Sequence, residues 1–142
     1  MRQPVATPPV TRLIVWVEER ACAHIGRCGP VRICRLKPGR VDGDLSRLMH
    51  DLAVTSRTEP PFLVVSVGEA FFGSDALGVL VAVHTQHNAT GGELVLCGVN
   101  NRARGVINIC SLDRLIRIFD TETDAIDHLL QRGSTTRATQ HK

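Results

Sequence analysis

The stretch PFLVVSVGEAFFGSDALGVLVAV, residues 61–83, holds a strand, a corner and a helix in immediate succession. Its first part, PFLVVSV at 61–67, is rich in β-branched residues and apolar on both alternating faces, the pattern of an interior parallel strand covered on both sides. Gly73, Ser74 and Asp75 then mark a corner. From about residue 75 to 89 the chain reads as a helix in which Leu77, Val79, Leu80, Val81 and Val83 follow almost without interruption, which demands burial over most of its circumference.

The same alternation extends in both directions. Upstream, GDLSRLMHDLA places Leu45, Leu48, Met49 and Leu52 at helical spacing and predicts a short amphipathic helix. Before it, GPVRICRL at 29–36 reads as a strand opened by a Gly-Pro turn, and RLIVWVEER and ACAHIGRC carry short strand-like runs, so a hairpin is expected there. Downstream, GGELVLCGV reads as a second interior strand. NNRARGVINIC follows as a helix with Ala103, Val106, Ile107 and Cys110 on one face, and LIRIF as a last strand. In DTETDAIDHLLQR, Thr121 can cap a helix with Asp124 at its third position, an approximate capping box, while Ile126, Leu129 and Leu130 supply the inner face. The expected fold is α/β, with a mixed β-sheet of four to five strands, parallel in its later part, and about four helices.

Composition bounds the class. The chain has 142 residues, 43% of them hydrophobic and 22% charged, which suits one domain with an ordinary core. Residues 1–11 carry three prolines and no period, and residues 133–142 are polar. Both are expected as disordered tails around a domain at 12–132. The formal charge of +3 comes from scattered arginines without basic runs or interleaved aromatics, so nucleic acid is not an expected partner. No apolar run reaches the roughly 18 residues of a membrane span. LIVWV at 13–17 is too short for a signal-peptide core, so the expectation is a cytoplasmic chain whose five cysteines are reduced thiols.

Several chemistries fit poorly. Cys22, His24, Cys28 and Cys34 lack a CxxC pair, and a hairpin of period two does not bring them together, so no metal is expected. Cys97, in a strand, and Cys110, on an inward helix face, read as small core hydrophobes. A nucleophile elbow at Ser74 lacks its second glycine, FGSDA replacing G-x-S-x-G. Asp113 or Asp120 with His128 would supply the other partners, yet His128 sits mid-helix. His84 and His87 read as one half-buried and one solvated histidine. No cofactor fingerprint is present, and the expected role is not enzymatic.

Ser74 keeps two readings. It is a natural N-cap, because a serine oxygen accepts from first-turn N–H groups and Asp75 suits the positive end of the dipole. It is equally a displayed hydroxyl at the carboxyl end of a parallel strand, where a phosphate is well received. A kinase would supply base, magnesium and ATP, and the phosphate would add about −1.5 to −2 charges beside Asp75.

The order of elements and three local motifs resemble the STAS domain family of anti-sigma factor antagonists. The family's GE[LIV]D turn has its counterpart in GRVD, Gly39–Asp42. Its DSSGLGVL corner has its counterpart in GSDALGVL, residues 73–80, and its LDRLxxIxDSxEEAL tail in LDRLIRIFDTETDAIDHL, residues 112–129. The similarity covers about residues 20–131. It implies helices packed mainly on one face of the sheet. It implies as partner an anti-sigma factor, usually a kinase-like ATPase of the serine kinase type, which the unphosphorylated antagonist sequesters and from which phosphorylation of Ser74 would release it. The binding surface it implies comprises Gly39, Arg40, Val41, Asp42, Gly73, Ser74, Asp75 and Ala76. The chain departs from the pattern where Arg40 replaces a favoured Glu, Gly73 an Asp, and Asp75 and Ala76 a Ser-Gly pair. These exchanges change the charge of the surface and point to a differently charged partner. An unphosphorylated STAS scaffold that assembles with other copies, a homodimer among them, is the alternative reading. Acyl transfer by Ser74 stands third.

Overall fold

The computed structural model describes residues 13–55 and 62–140. β1 (Val15–Glu19), β2 (Ala23–Cys28) and β3 (Val31–Leu36) form an antiparallel meander. β4 (Gly39–Arg40), α1 (Asp42–Thr55), β5 (Phe62–Gly68), β6 (Ala70–Phe71) and α2 (Ser74–Ala89) follow. The chain then forms β7 (Glu93–Val99), α3 (Asn101–Ile109), a 3₁₀ turn at Leu112–Arg114, β8 (Ile118–Phe119) and α4 (Glu122–Gln140). The main sheet runs β1-β2-β3-β5-β7-β8 and becomes parallel from β3 onward, while β4 and β6 pair as a separate two-stranded ribbon. The sheet is mixed as expected but has six strands among the described residues, not four to five. β1 makes the difference, because its ladder to β2 depends on a neighbour and not on its own pattern.

The meander turns through two residues. Gly29 takes the first loop position with φ +61, and Pro30 takes the second. A positive φ there is what glycine supplies cheaply and what keeps the loop in step with the twist of its strands.

Strand parity builds the core. Leu63, Val65 and Val67 of β5 and Leu94 and Leu96 of β7 face one side. There they meet Leu45, Leu48 and Met49 of α1, Leu77, Leu80 and Val83 of α2, and Ala103 and Ile107 of α3. Phe62, Val64, Val95 and Cys97 face the other side, against Ala125, Ile126 and Leu129 of α4. Among the described residues, three of the four helices therefore cover one face. Each fully buried aliphatic side chain contributes about 1.5–3 kcal/mol of transfer free energy, so apolar residues on both sides of the interior strands hold both helical layers.

Several local expectations change. LIRIF does not form a full strand: only Ile118 and Phe119 join β7, while Ile116 anchors the segment in the core. Cys110 caps α3 at its C-terminus and is exposed, because the helix ends at Ile109 before that face turns inward. His87 is buried and His84 half-buried, so neither is solvated. Cys22 and Cys34 enter the core under α1 to α3 and Cys28 the core under α4, so the sheet itself separates the candidate ligands. Thr121 does cap α4, its Oγ1 accepting from the N–H of Asp124 at 3.1 Å. That helix continues to Gln140, past the boundary expected at 132. The tail expected at 1–11 lies outside the described residues.

Candidate functional site

Two short strands bring the site together. β4 follows β3 and β6 follows β5, and they pair in parallel with Gly39 opposite Ala70 and Arg40 opposite Phe71. The N–H of Gly39 donates to the Glu69 carbonyl at 3.3 Å, and that of Val41 to the Phe71 carbonyl at 3.2 Å. The ribbon thus lays the turn at 39–42 beside the segment that enters α2. The turn and the corner, about thirty residues apart in sequence, become one surface at the carboxyl end of β5.

The backbone of the ribbon needs unusual dihedrals. Gly39 has φ +103 and Gly68 φ +57, and nothing lies within 4 Å of where a Cβ would stand at either position. Conformation, and not crowding, is what selects glycine at both.

Asn100, between β7 and α3, ties the ribbon down. Its Nδ2 donates to the carbonyls of Gly68 at 2.6 Å and Ala70 at 2.9 Å, while its Oδ1 accepts from the N–H of Ala103 at 2.8 Å as the N-cap of α3. Both amide hydrogens and the amide oxygen are used, so one side chain fixes β6 relative to a helix of the core.

Within β6, Ala70 and the following Phe72 turn inward and are buried. Phe71 points the other way and is half-buried. The Arg102 guanidinium lies 4.2 Å from the centroid of its ring and that of Arg40 lies 5.9 Å away. Exposed cation–π contacts of this kind contribute about 0.5–1 kcal/mol each. Their larger consequence is positional: two charged groups frame an aromatic face at the mouth of the turn. Glu69 and Asp75 are exposed nearby in the chain, so the surface carries both signs.

Gly73 is the N-cap of α2, in extended conformation, and makes no side-chain cap bond. Ser74 is the first residue of the helix. The capping role expected of Ser74 therefore falls to a residue without a side chain, and Ser74 occupies a position whose backbone is already helical. Arg40 and Asp75 are exposed, Gly39 and Gly73 half-buried, and Val41 and Ala76 buried in the core. Those last two can only support the surface from below. Asp42 begins α1. Phe71, Asn100 and Arg102 were not expected here. An Asn before a helix is a recognisable cap, yet nothing local in sequence places its amide on β6 or lays Arg102 over Phe71.

Neither 39–42 nor 69–76 contains His, Cys or Lys. What these segments offer is a shaped, mixed-charge surface of backbone, arginine and aromatic ring beside a helix N-terminus, suited to docking.

The fold and this surface define a compact α/β module that presents two loops at the carboxyl edge of its sheet. The STAS domain family model matches residues 46–125, and the chain belongs to the STAS domain family. It is similar to the anti-sigma F factor antagonist of Paenibacillus polymyxa, 28% identical over 102 residues that span 70% of this chain and 86% of that protein. Its fold is similar to the crystal structure of an anti-sigma factor antagonist from Mycobacterium paratuberculosis, with TM-score 0.64 and 19% identity over 87% of this chain and 98% of that one. The anti-sigma-factor antagonist (STAS) domain protein of Planctomyces limnophilus gives TM-score 0.64 and 16% identity over 78% and 97%. Among the described residues no helix is long and apolar enough to cross a membrane.

Proposed function

We propose that this chain is a non-enzymatic anti-sigma factor antagonist that docks an anti-sigma factor of the serine kinase type through the ribbon surface, and that phosphorylation of Ser74 releases the partner. The observation that carries the reading is the β4–β6 pairing, which joins the 39–42 turn to the entry of α2. Ser74 then stands on the first helical position of that surface. A dianionic phosphate at this helix start is compatible with the local dipole but adds charge beside Asp75, so it alters what the surface repels more than how the domain folds. Arg40 and Arg102 around Phe71 favour a partner face with a carboxylate and an apolar side chain.

The test pairs intact-mass spectrometry with binding. The chain and its Ser74→Ala variant are incubated with magnesium-ATP and candidate anti-sigma kinases of the host, and affinity is measured for wild type, Ser74→Ala, Ser74→Glu and Phe71→Ala. The expected result is a phosphate-sized mass gain lost in Ser74→Ala, binding kept by Ser74→Ala, and binding reduced about tenfold or more by Ser74→Glu and by Phe71→Ala. Equal binding by all four proteins refutes the surface. Binding without a mass gain refutes the switch and leaves a constitutive binder.

A further inference from the structure

α3 departs from ordinary helix chemistry at three exposed positions. Its first turn holds Arg102 and Arg104 and no acidic residue, whereas α2 has Asp75 in its first turn and α4 has Glu122 and Asp124. Cations at a helix N-terminus oppose the macrodipole, so nothing within the helix favours them there. Its middle holds Gly105, and glycine is, after proline, the least favourable residue in a helix interior. Its end holds Ile109, which at 85% exposure is the barest large apolar side chain among the described residues. Local rules broken together in one element are expected where a surface serves something outside the fold.

Packing explains other glycines but not this one. A Cβ at Gly26 would stand 2.7 Å from Ile14 Cγ2 and 2.8 Å from Trp16 Cε3, so that glycine lets β1 lie close against β2. A Cβ at Gly133 would meet Phe62 at 3.4 Å, where α4 crosses the sheet. At Gly105, among the described residues, nothing beyond the backbone of α3 itself lies within 4 Å, and φ is not positive. Alanine would fit the fold equally well and favour the helix more. The use left for a bare position on an exposed helix face is close approach by another backbone.

The three positions form one line that starts at the ribbon. At 3.6 residues per turn, Arg102, Gly105 and Ile109 fall within about 60° of one another around the helix. All three are exposed, while Ala103 and Ile107 on the inner side are buried. The line is about 10 Å long. Helical side chains lean toward the N-terminus, and Arg102 leans over Phe71 of β6, its guanidinium 4.2 Å from the ring centroid. Asn100, the cap of α3, binds the Gly68 and Ala70 carbonyls, which fixes the helix relative to the ribbon. A partner that covers Phe71 therefore meets Arg102 and the first turn of α3. Arg102, Arg40 and the positive end of α3 together suit a carboxylate there.

We infer that the anti-sigma factor docked by the ribbon surface also lies along the outer face of α3, with a carboxylate at Arg102, its backbone over Gly105 and an apolar side chain on Ile109. The α3 contact rests on the docking reading above and specifies the partner's contacting element, an acidic and apolar segment about two helical turns long. A second copy of this chain is a poorer occupant of the same face. Two α3 faces related by a twofold axis would offer no carboxylate to Arg102, since α3 contains none.

Affinity and stability measured together test it, on the full chain and with the host anti-sigma kinase that binds the wild type. Gly105→Gln should raise Tm by about 2 °C and lower affinity about tenfold or more, a combination that a purely structural glycine does not give. Ile109→Ala should leave Tm within about 2 °C, as an exposed position does, and lower affinity about tenfold. Arg102→Glu should lower affinity and flatten its dependence on salt. Wild-type affinity in Gly105→Gln or in Ile109→Ala overturns the α3 contact, and if Phe71→Ala still loses binding the ribbon surface stands without it. A fall in Tm for Gly105→Gln equally overturns it, because the glycine then serves the fold. If no candidate anti-sigma kinase binds the wild type, the docking reading fails and the α3 contact fails with it.

Discussion

Glu93 opens β7 and is only 3% exposed, a placement that a lone carboxylate would not tolerate. Two arginines and a histidine reach it. Arg132 Nη1 donates to Oε1 at 2.7 Å, Arg117 Nε donates to Oε2 at 3.1 Å, and His128 Nε2 lies 2.9 Å from Oε1. Burial alone pushes this carboxyl up, but the bonds from His128 and Arg132 outweigh it and hold the group below the usual carboxylate range. Replacing Glu93 with Ala removes charge-assisted hydrogen bonds of about 1.5–3 kcal/mol each. The side chains of Arg117, His128 and Arg132 are 66%, 25% and 32% exposed and can turn to water, so the losses do not add in full. The expected destabilisation is about 3 kcal/mol, the low end of the range for orphaning a fully buried charge. For a domain of this size that lowers Tm by about 10 °C.

Thermal and urea unfolding of wild type and Glu93→Ala measure it, with Glu93→Gln as a charge-only comparison. Because the folded pKa lies below the unfolded one, the contribution is complete above the unfolded value of about 4.3 and is lost as pH falls through the folded pKa. Glu93→Gln should therefore show a flatter stability profile than wild type below about pH 4.5, and the two profiles should run parallel above it. A Tm change under about 3 °C for Glu93→Ala, or unchanged acid slopes for Glu93→Gln, refutes the claim that this network fastens α4 to the sheet.

Asn100→Ala removes the α3 cap and both donors to β6, at a cost of about 1–2 kcal/mol. It should accelerate amide exchange at 39–41 and 68–71 more than in the core strands, and uniform acceleration across the domain would refute the clamp. Burial pulls the pKa of His87 down to about 4, so the unfolded chain takes up its proton first. Stability should fall by on the order of 3 kcal/mol as pH drops from 6.5 to 4. His87→Leu should remove most of that slope in denaturant titrations at each pH, and an unaltered slope would refute the assignment.

The elements around the candidate site are local in very different degrees. β5, α2 and β7 were legible because an interior strand apolar on both faces, and a helix buried around most of its surface, each imprint a period on their own residues. The Gly29-Pro30 turn and the Thr121 cap were legible for the same reason, since backbone dihedrals and first-turn N–H groups are satisfied within a few residues. Composition and spacing thus determined the class of fold and the neighbourhood of Ser74. Tertiary structure decided the rest. A two-residue strand has no period, so β4 and β6 exist only because β3 and β5 end side by side. Gly73 and not Ser74 caps α2 because the ribbon sets where the helix begins. Glu93, His87 and Cys110 take their surroundings from partners distant in sequence, and whether LIVWV is an edge strand depends on Gly26 admitting it. Hydrogen bonds to other strands and burial by other elements are properties of the assembled chain, and no short window of sequence contains them.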